Sequence, residues 1–157
     1  MRRLFSTIVL CLFLSSCEDQ VKFNNPAVQG LKNNVLWSAT LIDAVQEADG
    51  SLTIEAYAKN DILTLKTVSV DANTYLLGVD DENVVKLVEK KGDITTVFST
   101  GEDSGNGQIV ITEIDAVNHT ITGEFKCNIP NKSDDSSVAP YVNFTKGIFY
   151  KVPLKTK

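Results

Sequence analysis

The sequence predicts an all-β domain, an antiparallel β-sandwich or flattened barrel of about eight or nine strands, after a signal peptide and a flexible tether. Two observations carry this. From Val35 onward apolar and polar residues alternate with a period of two, which turns one side of a strand inward. Turn residues break the alternation at short intervals, and no long helical pattern interrupts it. Antiparallel pairing follows for most strands, because parallel neighbours need long crossovers. A chain of 157 residues, 43% apolar and 22% charged, is sized for one such domain and is not composed like a disordered or collagen-like one.

The elements follow in order. Val35, Trp37, Ala39 and Leu41 share one side of a first strand. Leu52, Ile54, Ala56 and Ala58 alternate with Thr53, Glu55, Tyr57 and Lys59 in a second, and Asp49-Gly50 between them is a hairpin signal. Ile62 to Val70 is rich in β-branched residues, and Thr74 to Val79 is a short apolar run. Val84 to Lys91 reads as a strand turning at Lys91-Gly92-Asp93 into Ile94 to Ser99, with a short capped helix as the alternative. Gln108 to Ile114 is a further strand. In Thr120 to Ile129, Ile121, Gly123, Phe125, Cys127 and Ile129 face one way. Tyr141 to Val152 is the last strand, with Gly147 marking a bulge or bend.

The first residues read as an address. Met1-Arg2-Arg3 is positive, and Leu4 to Leu14 is an apolar run of eleven residues, too short to span a membrane as a helix. Leu14-Ser15-Ser16-Cys17 resembles the bacterial lipoprotein signal. The resemblance implies cleavage between Ser16 and Cys17, and a lipid on the Cys17 thiol. Several acyl chains hold such a protein stably on a membrane. The expected division is 1–16 signal peptide, 17–34 lipidated Cys and flexible tether, 35–157 all-β domain. The mature chain then has 141 residues and keeps 13 of 15 basic residues and all 20 acids, a formal charge of −7. That balance argues against a nucleic-acid partner. Glu18-Asp19 partly resembles the signal that sends Bacteroidetes lipoproteins to the outer face of the outer membrane; a plain acidic linker is the alternative.

Three stretches together are similar to a known family. They are Gln29-Gly30 through Trp37-Ser38-Ala39; Ile109-Val110-Ile111-Thr112-Glu113-Ile114-Asp115, then Asn118 and Gly123-Glu124-Phe125; and Val142-Asn143-Phe144, Gly147 and Phe149-Tyr150-Lys151-Val152-Pro153. They resemble Bacteroidetes, chiefly flavobacterial, lipoproteins carrying a domain of unknown function of the DUF6252 type. The resemblance implies a β fold and a lipoprotein, and transfers no catalytic residues. Cys127 departs from it, standing where an aromatic residue is more usual.

Candidate sites are few. Glu102, Asp103 and Asn106 lie in a stretch that partly fits a twelve-residue calcium loop, with Gly107 at its sixth position, but no helix pattern flanks it and Ile109 onward reads as strand; a glycine-rich hairpin turn is the ordinary reading. Asp71 with Asn73, Asp80-Asp81-Glu82 and Asp134-Asp135 read as solvated turn acids. His119 reads as an exposed turn residue. Cys127 reads as a small core residue. Asp103-Ser104-Gly105 and Asp135-Ser136-Ser137 resemble loose O-glycosylation sites. No cofactor and no catalytic set are expected. The expectation is an outer-membrane-anchored lipoprotein, on either face of that membrane. It serves as a non-enzymatic envelope or surface module that contacts a protein or glycan; the alternative is a small-ligand carrier with some aromatics lining a mouth.

Overall fold

The computed structural model describes residues 27–133 and 137–157. The signal peptide, Ser16, Cys17, residues 18–26 of the expected tether and the acids Asp134 and Asp135 lie outside the described residues. Every regular element among the described residues is a β-strand: β1 (Ala27–Lys32), β2 (Val35–Ser38), β3 (Leu41–Gln46), β4 (Leu52–Tyr57), β5 (Asp61–Thr67), β6 (Thr74–Leu77), β7 (Val84–Lys91), β8 (Ile94–Ser99), β9 (Asn106–Asp115), β10 (Thr120–Pro130) and β11 (Tyr141–Thr156). Nine of them form one sheet in the order β6-β9-β10-β11-β3-β4-β5-β7-β8, and the β1–β2 hairpin joins it through β11. The sheet curls into a half-barrel around a single apolar core. Past β10, Asn131 bridges Phe98 of β8, so the edge strand β8 curls back toward the end of β10.

All neighbours pair antiparallel except β11 and β3, which run parallel over Leu154–Thr156. The Asp49-Gly50 turn and the β7–β8 hairpin form where the sequence placed them, with Gly50 and Gly92 at positive φ. The helix alternative for Val84–Lys91 is thereby set aside. Its β-branched residues leave Val85 and Leu87 inward and Val88 outward, a pattern that suits a strand.

Two expectations at the start of the domain are corrected. The composition predicts a tether reaching to Asn34, but Ala27–Lys32 is a strand paired with both β11 and β2. Asn33 and Asn34, both at positive φ, form the tight turn between β1 and β2. This is hairpin chemistry, and two asparagines suit it because they tolerate that backbone region. The expected first strand, Val35 to Leu41, is two strands. Ala39 donates its N–H to Val28 of β1, and Thr40 donates its N–H to Tyr57 of β4. The chain therefore changes partner at a corner. Of the four residues assigned to one face, only Trp37 is buried; Ala39 packs partly on the core, and Val35 and Leu41 are 69% and 63% exposed. These two changes account for eleven strands instead of nine.

The β10–β11 pair holds the core through an exchange of glycines and rings. Gly123 pairs with Phe149 and Phe125 pairs with Gly147. A Cβ on Gly123 would stand 2.3 Å from the Phe149 ring and 2.1 Å from the Val110 carbonyl oxygen; one on Gly147 would stand 2.6 Å from the Phe125 ring. Each aromatic ring thus lies over the glycine opposite, the arrangement that compensates a glycine's missing side chain in a sheet. Gly30 on β1 backs directly onto Gly147, 3.0 Å from where its Cβ would be, and pairs with Trp37 on its other side. Trp37 meets Phe144 edge-on at 5.6 Å, and Phe144 lies 5.9 Å from Phe125. The expected irregularity at Gly147 is present. Between Phe144 and Gly147, β11 carries one residue more than β10 does opposite, and Lys146 there has φ 50°. A second bulge, between Phe149 and Val152, puts Lys151 at φ 46°. Bulges bend a strand, and the bent β11 pairs first with β1 and then with β3.

Gly123→Ala and Gly147→Ala should each lower unfolding stability by about 3 kcal/mol or more, because the backbone and ring leave no room. Gly50→Ala, with open space around its Cβ position, is limited to the strain of its φ of 88° and should cost about 1 kcal/mol. Urea denaturation of the three variants checks the ranking.

Candidate interaction surface

The outward side of the β3-β4-β5-β7-β8 half carries an apolar row that the core does not use. The registers place Leu41 opposite Tyr57, Tyr57 opposite Ile62, Ile62 opposite Val88, and Val88 opposite Val97. Paired residues point to the same side, so these five form one line across five strands, about 19 Å long at ordinary strand spacing. Their chain neighbours Ile42, Ala56, Leu63, Leu87 and Phe98 or Thr96 point inward. Beside this row runs a polar one: Asp43, Glu55, Thr64, Lys86 and Ser99, again in register. Its acids lie at the β3–β4 end and its base at the β7 end.

Asp43 and Glu55 stand directly opposite each other, which like charges disfavour. The fold offsets this with neighbours. Lys155 pairs with Asp43 at 2.6 Å, and the Tyr57 hydroxyl donates to Glu55. Hydrogen bonding to that carboxylate holds the Tyr57 phenol protonated to higher pH than usual. Tyr57 is therefore an oriented aromatic residue at the edge of an apolar row, with its polar end engaged.

A second polar group lies at the mouth of the half-barrel, on the inward side. Asp61 of β5 pairs with Glu89 of β7. Lys32 of β1 reaches both, at 2.5 Å and 2.6 Å, and Trp37 of β2 donates its indole N–H to Asp61 at 3.0 Å. Burial works against the Lys32 charge, but the two carboxylates outweigh it and raise its pKa above the usual 10.5. Lys32 is only 19% exposed and its partners 14% and 31%, so the group is a strut between β1–β2 and the far wall. Sequence reasoning missed it because Lys32 fell in the supposed tether and Asp61 and Glu89 are 28 residues apart.

The other predicted residues are placed as follows. Glu102 and Asp103 sit at the tip of a turn closed by reciprocal N–H to carbonyl bonds between Gly101 and Ser104, each 3.0 Å. Glu102 donates its backbone N–H to Asp81. Asn106 already belongs to β9, opposite Asn128. The geometry is a hairpin-like turn, and no cluster of three or more His, Cys, Asp or Glu side chains able to hold a metal occurs among the described residues. Asp80 accepts the N–H groups of Glu82 and Asn83, both at 2.9 Å, and these bonds depress its pKa. Asp71 accepts from the Ser69 hydroxyl. These turn acids order backbone. His119 is an exposed turn residue with φ 51°. Cys127 is buried in the core, and burial pushes its thiol up to about 12. Of the aromatics, Trp37, Tyr75, Phe98, Phe125, Phe144 and Phe149 are core, whereas Tyr57 faces outward.

The match to a family is made over nearly the whole described domain. The chain belongs to the DUF6252 family, a domain of unknown function, which matches residues 24–153. The comparisons with curated proteins and with solved structures found no match. The DUF6252 match includes β1, so the strand expected to be tether lies within the family domain. The three stretches that suggested the family hold Gly30, Trp37, Gly123, Phe125, Gly147 and Phe149, the residues of the glycine–aromatic interlock. No helix among the described residues is long and apolar enough to cross a membrane.

Lys32→Met should destabilise this DUF6252 domain by about 2 kcal/mol near neutral pH, since two carboxylates lose their charged donor. The raised Lys32 value means that its contribution is complete below pH 10.5 and is lost as pH climbs through the folded value. Urea midpoints should therefore differ between wild type and variant by a constant amount from neutral pH upward, and converge only above pH 10.5. Cys127 should resist a thiol reagent in buffer and react fully in urea, checked by absorbance.

Proposed function

We propose that this chain is an outer-membrane lipoprotein, held through lipid on Cys17, whose DUF6252 domain is a non-enzymatic interaction module of the cell envelope. The observation that carries the module reading is the apolar row from Leu41 to Val97. Leu41 is exposed and Tyr57, Ile62, Val88 and Val97 are partly exposed, and an apolar line bordered by charge suits a contact site. The interior supports the same choice over a ligand carrier. Phe98, Phe144 and Phe149 are fully buried in the single apolar core, filling the space that a carrier keeps for its ligand. The surface depressions agree. One of about 150 Å³ lies outside β9–β10, bounded by Val110, Glu124, Lys126 and Lys146; a broader one of about 440 Å³ lies at the root of the β3–β4 hairpin, bounded by Glu47, Asp49 and Lys66. The first is below the usual ligand-site range of about 300–1,000 Å³, and the second is lined mainly by charged and hydroxyl groups.

The anchor rests on the sequence alone: a charged start, an apolar run of eleven residues and Ser15-Ser16-Cys17. Each buried methylene contributes about 0.8 kcal/mol to membrane binding, so multiple chains make attachment stable.

Cells fed radiolabelled palmitate should incorporate label into the wild type and none into Cys17→Ala; label retained by the variant would overturn the anchor. Crosslinking in intact cells through a photoreactive residue at Ile62 should trap a protein, whereas one at Leu76, outside the row, should not. Equal yields at both positions would overturn the interaction module.

A further inference from the structure

We propose that the outward side of β3-β4-β5-β7-β8 is a self-association face that seats a second copy of this chain across a two-fold axis running along β5. This deepens the interaction-module reading by naming its partner. It does not depend on the lipid, so an unlabelled Cys17 and a monomeric domain are separate failures.

The argument is one of charge and shape order. A two-fold axis along the middle strand reverses the strand order of the second copy. The apolar row reads Leu41, Tyr57, Ile62, Val88, Val97, and its reversal sets Ile62 against Ile62, Tyr57 against Val88, and Leu41 against Val97. The adjoining row reads Asp43, Glu55, Thr64, Lys86, Ser99. Its reversal sets Thr64 against Thr64 and Glu55 of each copy against Lys86 of the other. The face is thus self-complementary in both rows, which a two-fold interface requires. Lys66, two residues past Thr64 on β5, falls on the same axis and meets its own counterpart, a like-charge contact that weakens the association and is relieved by salt.

The curl of the sheet sets the strength. Contact is closest at β5 and opens toward β3 and β8, where the longer Leu41, Glu55 and Lys86 side chains bridge the gap. A patch about 19 Å wide and centred on one strand is at the small end of specific interfaces. The expected dimer is correspondingly weak, with Kd of about 10–1,000 µM. Copies confined to one membrane would associate more readily than this value suggests, because confinement raises their effective concentration.

Sedimentation equilibrium of the full chain in detergent, up to about 1 mM, tests this. A reversible dimer is expected. Glu55→Lys and Lys86→Glu should each weaken it about tenfold, and the double exchange should restore it, since the pair is merely reversed. Ile62→Asp should abolish it and Leu76→Asp, on the other half of the sheet, should not; near-ultraviolet circular dichroism verifies that each variant is folded. A chain that stays monomeric over the whole range overturns the proposal. So does a dimer indifferent to Glu55 and Lys86, or one in which the double exchange fails to rescue, because association would then use another surface or partner geometry.

Discussion

The close approach of β10 and β11 is the constraint on which the rest of the structure depends. Gly123 and Gly147 leave gaps that Phe149 and Phe125 fill from the opposite strand, so each strand supplies both the space and the ring. Gly30 extends the same contact to β1, and through its pair Trp37 to β2. The glycines of β1, β10 and β11 therefore meet at one place, with a continuous aromatic group, Trp37, Phe144 and Phe125, packed beneath them. Because the bulges of β11 lie beside this contact, the strand bends and hands its pairing from β1 to β3. The turn in β11 makes a curled half-barrel from what would otherwise be two separate sheets.

That curl divides the surface. One side of each strand faces the core, and among the described residues the inward-facing charges Lys32, Asp61 and Glu89 meet at the mouth. A half-buried lysine of this kind is held charged because both carboxylates face it. The strut also explains how a short edge hairpin is fixed to a wall with which it shares no backbone pairing. The outward side is free of such demands. Apolar residues there, Ile62, Val88 and Val97 in particular, contribute little to the core, and their alignment is a property of the surface.

Much of the fold was legible in single strands. Period-two alternation assigned the inward residues of β4 and β10 correctly, and Asp49-Gly50 and Gly92 marked the β3–β4 and β7–β8 hairpins, because these signals depend on neighbours in the chain. Cys127 was legible for the same reason. The start of the domain was not. Asn33-Asn34 has the composition of a linker and the backbone geometry of a tight turn, and only pairing with β11 distinguishes the two. The corner at Ala39-Thr40 was equally silent, since nothing local tells a chain that its partner changes from β1 to β4. The candidate surface was half legible: the outward side of Tyr57 could be read from β4, but not its alignment with residues on four other strands.

The sequence by itself determined the all-β composition, the inward faces of β4 and β10, and an amino-terminal pattern with the features of a lipoprotein signal. These follow from local backbone preference and from the alternation of side chains. The tertiary structure decided which strands lie side by side and in what register. Register sets which residues on separate strands become neighbours, and a shift of one residue would send each side chain to the opposite face. For that reason the Lys32 strut, the glycine–aromatic interlock and the Leu41 to Val97 row exist only in the folded chain, although every residue in them was in plain view before.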